Sequence, residues 1–210
     1  MIRQLSIILF LITLCFPVDK AGTSAAKFLS IGVGGRAVGM GGAFTAIAAD
    51  ASAMFWNPAG VARISGNEFY VEHSNWLADI NHNYLAMVLP LGNSSSLGLN
   101  IVSLSMPEMN VTRYGEEYTG ESFRAGSYAI GATWAANLTD RFSIGFNGKY
   151  IREFISRSAA SGAALDVGTL FNTVLGPTLG MSISNFGPKV QMNGADLLIN
   201  VDDVSNNSKI

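Results

Sequence analysis

From Gly66 onward, large apolar residues alternate with small or polar ones, and this period of two restricts the fold more than any other feature. Tyr128, Ile130, Ala132 and Trp134 would share one strand face, and Ser127, Ala129, Gly131 and Thr133 would share the other. The alternation returns in residues 142–154, 164–171 and 178–184, and no stretch after Gly66 has helical spacing. The pattern predicts an all-β chain of seven or eight strands.

Three earlier strands are less regular, and they are predicted at residues 67–77, 81–91 and 96–105. A charged stretch, residues 106–123, interrupts the strands and is predicted to form an exposed loop or a hairpin tip. Its charged residues are Glu108, Arg113, Glu116, Glu117 and Glu121.

The strands favour a membrane β-barrel over a soluble β-sandwich, which also alternates and stays the alternative. Several strands are about ten residues or longer, the length that a tilted membrane strand requires. Charged residues make up 13% of the chain, about half the usual fraction of about 25% in soluble proteins. The face opposite the large apolar residues is small and polar, unlike the packed core of a sandwich.

The N-terminus resembles an export signal. Arg3 precedes an apolar run from Leu5 to Phe16, which has the length of a signal-peptide core and is too short to span a bilayer. Residues 1–21 are therefore predicted to be a signal peptide. Cys15 is the only cysteine, so the mature chain is expected to contain neither a thiol nor a disulfide.

Residues 21–65 form a block rich in Gly and Ala that has no strand alternation. Asp50 is predicted to be the N-cap of a short helix that ends at Met54, and Pro58 suits the first turn of a second helix that ends near Ala62. Small residues allow close backbone approach. We expect a compact, partly helical segment that packs inside another part of the fold.

The motifs exclude several kinds of chemistry. The glycine-rich stretch from Gly32 to Gly42 has no strand-turn-helix context and no Gly-Lys-Ser/Thr sequence, so nucleotide binding is not expected. His73 and His82, the only histidines, have no cysteine partners for a metal site and are expected to be polar residues beside strand ends. A Gly-x-Ser-x-Gly elbow is absent. We predict neither an enzyme nor a cofactor.

Two further polar features have simple interpretations. The net charge is −2 and no Lys/Arg cluster occurs, so nucleic acid is not an expected partner. Asp166 lies on the small-residue face, where it could belong to a lumen site. A solvated interior charge is the favoured interpretation of this residue.

Two long stretches resemble a known family. GRAVGMGGAFTAIAADASAMFWNPAG, residues 35–60, resembles the N-terminal signature of the PorV/PorQ family, relatives of the FadL-type outer-membrane transporters. HSNWLADINHNYLAMVLPLG, residues 73–92, resembles the next family segment, and the later stretches MPEMNV and LGMSISNFGPKVQM are similar to its hairpins. The resemblance covers most of the chain from Ala26 to Met192. The matching positions of the second segment are Trp76, Leu77, Asp79, Ile80 and Tyr84.

The resemblance implies a 14-stranded transmembrane antiparallel β-barrel in the outer membrane. Residues 22–65 would be a plug or hatch inside the barrel, and residues 66–210 would supply about seven or eight strands of its wall. The residues that match the structural plug motif are Gly35, Arg36, Gly39, Met40, Gly41, Gly42, Phe55, Trp56, Asn57, Pro58, Ala59 and Gly60.

Members of the family are implicated in protein secretion and surface attachment by a type IX-like system, and this is the predicted function. The first alternative is FadL-like transport of long-chain fatty acids or other hydrophobic compounds, and the second is a structural outer-membrane protein without transport. The expected partners are outer-membrane lipid, secretion-system components or cargo proteins, and hydrophobic small molecules.

The sequence departs from the family pattern in two respects. It supplies fewer strands than the barrel requires, and its end, DLLINVDDVSNNSKI, lacks the expected amphipathic strand with a final aromatic residue. Unpaired strand edges in lipid would leave backbone groups without hydrogen bonds, at a cost of several kcal/mol each. A truncated chain that does not close a 14-stranded barrel alone is therefore expected.

Overall fold

The computed structural model of the protein describes residues 26–92, 94–115 and 119–194. Strands hold 53% of these residues and short helices hold 13%, which confirms the prediction of an all-β chain. The predicted signal peptide and the terminal stretch DLLINVDDVSNNSKI, residues 196–210, lie outside the described residues.

In the described residues, seven long strands and three two-residue strands make up the β-structure. The number and the approximate positions of the long strands agree with the alternation in the sequence. The strands are β1 (Glu68–Asn75), β2 (Asn81–Leu91), β3 (Ser95–Ser105), β4 (Met109–Asn110), β5 (Ser122–Phe123), β6 (Ala125–Asn137), β7 (Phe142–Ile155), β8 (Ser158–Asn172), β9 (Thr178–Phe186) and β10 (Asn193–Gly194).

The long strands form one antiparallel sheet in which neighbours in sequence are neighbours in space. The order is β1-β2-β3-β6-β7-β8, and β9 and β10 both pair with β8. β9 and β10 pair with different residues of β8: β9 pairs within Leu165–Asn172, and β10 pairs with Ser158 and Ala159. The strands β4 and β5 pair with each other inside the predicted exposed connection and form a separate two-stranded ribbon.

The sheet has two different faces. In β7, Ser143, Gly145, Asn147 and Lys149 are buried on what we call the inward face. Outward positions of the same strand are larger, and Tyr150 is 46% exposed. The same division holds in β6, where Ala129, Gly131, Thr133 and Ala135 are buried and Ile130 and Trp134 are exposed. The assignment of faces made from the alternation is therefore confirmed.

Residues 26–65, which we call the helical segment, cover the inward face. The segment consists of short turns: 3-10 helices at Lys27–Ser30 and Pro58–Arg63, and α-helices at Gly35–Gly39 and Ala53–Trp56. A third 3-10 turn, Leu77–Asp79, connects β1 to β2. No helix in the described part of the chain combines the length and the apolar character needed to cross a membrane.

One predicted helix boundary was wrong. Asp50 is not the N-cap of the helix Ala53–Trp56, because Ser52 occupies that position. The Asp50 carboxylate instead accepts hydrogen bonds from the Ser52 backbone N–H at 2.9 Å and from the Ser52 hydroxyl at 2.5 Å. It therefore stabilises the turn before the helix. The second predicted helix is confirmed at Pro58–Arg63.

The hydrophobic core lies between the helical segment and the inward face. Burying apolar surface there stabilises the fold by about 25 cal/mol per Å². The segment supplies large side chains because the inward strand residues are mostly small. The largest fully buried apolar or aromatic residues are Phe44, Met54, Val33 and Val61 from the segment, and Tyr84, Val88, Val102 and Leu170 from the strands.

Candidate functional site

The candidate site is the interface where FWNPAG, residues 55–60, meets strands β7 and β8. The helix Ala53–Trp56 ends here, Asn57 is extended (φ −157°, ψ 100°), and the next 3-10 helix begins at Pro58. Pro58 suits the first helical position because its missing N–H would have no helical partner there. The stretch from Asn57 to Gly60 is buried, so it forms internal structure.

Asn57 joins three parts of the molecule. Its side-chain oxygen accepts from the Ala59 backbone N–H at 3.1 Å and caps the 3-10 helix. Its Nδ2 donates to the Thr45 carbonyl at 2.8 Å and to the Thr169 carbonyl of β8 at 3.1 Å. The side chain thus connects the helical segment to itself and to the sheet, and it is fully buried.

Phe55 and Trp56 anchor the stretch through aromatic contacts. Their ring centroids are 5.2 Å apart in an edge-to-face arrangement, and Phe55 also meets Tyr84 of β2 at 6.4 Å. The Trp56 Nε1–H donates to the Val33 carbonyl at 2.7 Å. Trp56 therefore holds the earlier glycine-rich stretch against FWNPAG.

Pro58 and Ala59 lie directly on the strands, at places where β7 and β8 have no side chain. A Cβ atom at Gly145 would collide with the Pro58 and Ala59 backbone, and one at Gly168 would lie 2.8 Å from Pro58 Cδ. These two glycines therefore allow the helical segment to contact the strand backbone. Asn57, Pro58 and Ala59 therefore lie in a packed joint between the helical segment and the sheet, and their role in a plug stays a prediction.

The glycine-rich residues of the predicted motif form the turn before Phe44. Gly35 begins the short helix and Gly39 ends it, and Gly41 and Gly42 have φ values of 65° and 81°, which other residues rarely adopt. The remaining predicted residues lie on the surface of this turn. They are Arg36, whose guanidinium lies 5.5 Å from the centre of the Phe44 ring, and Met40, which is 39% exposed.

Asp166 is not the solvated charge that the sequence favoured. Its side chain is 1% exposed, and Oδ2 lies 2.8 Å from Lys149 Nζ in a buried ion pair. The Asn147 amide donates to the same carboxylate at 3.1 Å, and the Asn185 backbone N–H donates to it at 2.7 Å. The alternation placed Asp166 on the correct face. The helical segment and β9 then exclude water from it.

Three inward glutamates hold backbone N–H groups of the helical segment. Glu68 accepts from Ala51 at 2.8 Å, Glu72 accepts from Gly34 at 2.6 Å, and Glu153 accepts from Ala26 at 3.0 Å. Sequence reasoning missed these contacts. The alternation indicates that these glutamates face inward in β1 and β7. It does not indicate their partners, because every residue except proline has a backbone N–H group.

Polar side chains fix the end of the segment as well. The Asn137 amide donates to the Ala62 carbonyl at 2.7 Å. Arg63 donates to the Ser143 hydroxyl at 3.2 Å and to the Asn172 side-chain oxygen at 2.9 Å. Burial lowers the pKa of Arg63 below its ordinary value, because the charged form loses hydration. These contacts hold Ala62 and Arg63, the continuation of FWNPAG, on the sheet.

The histidines do not form a joint site. His82 is buried on the inward face, whereas the exposed His73 lies outward, with Nδ1 2.7 Å from Asn83 Oδ1. The sheet separates their rings, so one ion cannot bind both. The described residues contain no group of three or more His, Cys, Asp or Glu side chains arranged to bind a metal ion.

Two larger pockets lie near the start of the helical segment. One of about 460 Å³ is mostly apolar, with Lys27 and Glu153 as its charged lining residues. The other, of about 660 Å³, lies between the first helical turn, β7, β8 and residues 185–191. Lys27 lines both. The apolar residues of the smaller pocket include Phe28, Leu104, Met106, Met109, Phe123, Phe154, Ile155 and Met192.

The comparisons with known proteins give a family. A family model described as "Uncharacterised protein family (UPF0164)" matches residues 17–152, which is more than half of the chain and includes the helical segment and most of the sheet up to β7. No curated protein matches the sequence. The chain therefore belongs to the uncharacterised protein family UPF0164.

Proposed function

We propose that the protein is an outer-membrane β-barrel protein that transports hydrophobic compounds, exported by its N-terminal signal peptide. The long strands would form part of the barrel wall, and the helical segment would be the plug inside it. The observation that carries the membrane location is the division of the sheet into two faces. Large apolar side chains predominate on the exposed outward face, and five of the six charged residues of the described long strands face inward. A soluble sandwich would place its charged residues on the exposed face instead.

The positions of the charged residues support this location. Strands β1, β7 and β8 place five charged residues inward, where each has a hydrogen-bond or ion-pair partner in the helical segment or the sheet. In water, exposed charges would stabilise the outward face, whereas lipid excludes them. The five inward residues are Glu68, Glu72, Lys149, Glu153 and Asp166.

The outward apolar band is also wide enough for a bilayer. In β7 the outward positions from Phe142 to Tyr150 are Phe, Ile, Phe, Gly and Tyr. Eight residue steps extend about 27 Å along a strand, comparable with the apolar band of about 25 Å on outer-membrane barrels. Tilt would shorten the projection of this band on the membrane normal.

The apolar pocket supports a hydrophobic ligand. It has about 460 Å³ of space, and its lining contains methionine and phenylalanine side chains. Methionine is flexible and polarizable, so it adapts to ligands of irregular shape. Lys27, which lines this pocket, would favour a ligand with a carboxylate at one end, and the other charged lining residue, Glu153, is already bound to the Ala26 N–H. A long-chain fatty acid has both properties.

The test is binding by the purified, folded chain. A fluorescent long-chain fatty acid is titrated into the wild type and into Phe123→Asp, which places a charge in the pocket. The matched control Tyr114→Asp adds the same charge to the exposed connection. We expect at least tenfold weaker binding for Phe123→Asp only, since burying an unpaired charge is costly. Equal affinity of all three proteins would rule out this pocket.

A second test addresses the location. Cells that express the full chain are separated into soluble and membrane fractions, and the membranes are washed with carbonate to remove peripheral proteins. The proposal expects the protein in washed outer membranes. Recovery of the mature chain in the soluble periplasm would reject the membrane location together with transport.

Protein secretion or surface attachment remains the second candidate. The observation that favours it is the exposed connection between β3 and β6, which carries Arg113–Glu121 and Arg124–Glu108 pairs at 2.8 and 3.4 Å. Such a charged surface is available to a protein partner. This candidate expects cargo secretion to fail in a deletion strain and to be restored by the Phe123→Asp variant, whereas transport expects no restoration of fatty-acid uptake by that variant.

A further inference from the structure

Arg152 differs from the other charged residues of the described long strands in the direction that it faces. The long strands, as far as they are described, contain six charged residues, and Arg152 is the one that faces outward. It is exposed, and no carboxylate of the described residues forms an ion pair with it. Its neighbour Glu153 faces inward and accepts from the Ala26 N–H. A lone cation on an apolar face needs an external partner or water.

The strand register shows that Arg152 lies where the apolar band ends. One outward row across six strands is Val71, Leu85, Ile101, Ile130, Tyr150 and Ala163. The next outward row, two residues further along each strand, is His73, Asn83, Ser103, Tyr128, Arg152 and Ser161. Every strand therefore changes from an apolar or aromatic residue to a more polar one at the same level.

The neighbours of Arg152 supply hydroxyl groups. Tyr128 of β6 and Ser161 of β8 lie directly opposite Arg152 in the register. The Tyr150 hydroxyl donates to the Ser161 hydroxyl at 3.2 Å. A guanidinium between hydroxyl donors is suited to phosphate, because its fork of N–H groups can bind two phosphate oxygens at once.

We propose that Arg152, with Tyr128, Tyr150 and Ser161, binds the phosphate of a membrane lipid headgroup. This inference rests on the proposed membrane location of the sheet. The acyl chains of the lipid cover the apolar rows, and the headgroup lies at the row of His73 and Arg152. The tyrosines have apolar rings and polar hydroxyls, which suits them to this boundary.

A second copy of the chain is a poorer occupant of this surface. The outward face of the described long strands carries no carboxylate, so pairing two such faces would bury Arg152 without a counter-ion. The cost of an unpaired buried charge is large. A lipid headgroup provides the negative charge and leaves the guanidinium at the water boundary.

The experiment compares lipids with and without phosphate at equal net charge. The full chain is folded into vesicles of phosphatidylcholine or of digalactosyl diacylglycerol, and urea titration gives the equilibrium constant for folding in each. Both lipids have zero net charge, and only phosphatidylcholine carries a phosphate, which is balanced by its choline cation. The variants are Arg152→Gln and Arg152→Lys. The control Arg113→Gln removes the same charge from the exposed connection.

In phosphatidylcholine we expect Arg152→Gln to lower the folding constant by about tenfold, the effect of a hydrogen bond to a charged group. Arg152→Lys should lower the folding constant less than Arg152→Gln does, and Arg113→Gln should leave it almost unchanged. In the galactolipid, Arg152→Gln should have the same folding constant as the wild type. A dipolar coupling between lipid phosphorus and the labelled Arg152 guanidino carbon should appear in solid-state NMR and be lost in the Gln variant.

The outcomes separate this inference from the proposed function. A wild-type chain that inserts in both lipids, with the same loss for Arg152→Gln in each and no phosphorus coupling, would overturn the phosphate site and leave the membrane location intact. Concentration-dependent cross-linking through the outward face, without phosphorus coupling, would assign that face to a second copy. A wild-type chain that inserts in neither lipid would overturn both proposals.

Discussion

Gly145 and Phe146 are adjacent in β7, yet the space available for a side chain differs between the two positions. Gly145 faces inward, where any side chain would meet the Pro58 and Ala59 backbone. Phe146 faces outward and stacks on Trp134 of β6, with ring centroids 6.2 Å apart. On the inward face the helical segment limits the size of the strand residues. On the outward face no other part of the described chain covers the large residues.

The same contrast holds for charge. Lys149 faces inward and lies 2.8 Å from Asp166 in a buried pair, and Arg152, three residues later, faces outward without a carboxylate. Inward charges are matched by the protein itself, so their loss should affect folding. Outward residues meet the surroundings, so their effects should depend on the medium. This difference leads to three predictions about residues of the inward interface and to a fourth about the exposed connection, which lies outside both faces.

The largest effect is expected for Lys149→Met. The substitution leaves the Asp166 carboxylate buried without its cation, which costs about 3–5 kcal/mol when one partner of a buried ion pair is removed. The free energy of unfolding of the folded chain, measured by urea titration in detergent micelles, should fall by this amount. Lys189→Met, on the exposed stretch after β9, should change it little.

A double variant tests the cause of that loss. Lys149→Met with Asp166→Leu removes both charges and should recover most of the stability, because apolar residues of similar volume often replace buried pairs without loss. If the double variant is as unstable as the sum of the two single variants, the pair interaction does not explain the effect.

The second prediction concerns Asn57→Ala. The change removes the cap on Ala59 and leaves the Thr45 carbonyl without its donor, so a loss of about 2–3 kcal/mol is expected. If the helical segment is the plug, the change should also loosen FWNPAG and raise dye leakage from vesicles that contain the folded protein. Asn83→Ala, an outward amide, is the control. If Asn57→Ala lowers the stability but leaves the leakage unchanged, Asn57 contributes to packing and the plug role of the segment is rejected.

The third prediction compares two glycines of one strand. Gly145→Ala should destabilise the protein by about 1–3 kcal/mol, since the added methyl group forces the backbone at Pro58 to move. Gly148→Ala meets no atom within 4 Å and should stabilise it slightly, because alanine loses less backbone entropy than glycine. Equal effects in urea titrations would contradict the difference between the faces.

The sequence predicted the sheet because its signal is local and repeated. The alternation assigned Ile130 and Gly131 to opposite faces from their positions alone, and the structure confirms both. The helix that begins at Pro58 was also identified, because proline in a first helical turn is a local signal. Asn57 was selected only through the family resemblance, and its role as a cap was not predicted. Most features of the fold that depend on residues adjacent in the sequence could therefore be predicted.

The contacts between the segment and the sheet could not be predicted in this way. Glu153 binds the N–H of Ala26, which is 127 residues away in the sequence, and the alternation shows only that Glu153 faces inward. Asp166 was placed on the correct face, but its burial depends on Lys149 and the cover above it. Solvation is a property of the assembled fold, so one strand does not reveal it.

The smallest effect is expected outside both faces, at Glu108 in the exposed connection. Hydrogen bonding from the Ser122 hydroxyl, then from Arg124, lowers the pKa of Glu108 below its ordinary value of 4.5. Because the folded pKa is the lower one, the ionised carboxylate stabilises the connection above pH 4.5, and this contribution is lost as the pH falls through the folded pKa. Ser122→Ala should raise the pKa toward 4.5, measured by NMR of the Glu108 carboxyl carbon, and Thr112→Ala in the same connection should leave it unchanged. A Glu108 pKa that is equally low in Ser122→Ala would assign the shift to Arg124, and added salt should then remove it, since exposed charge pairs are screened.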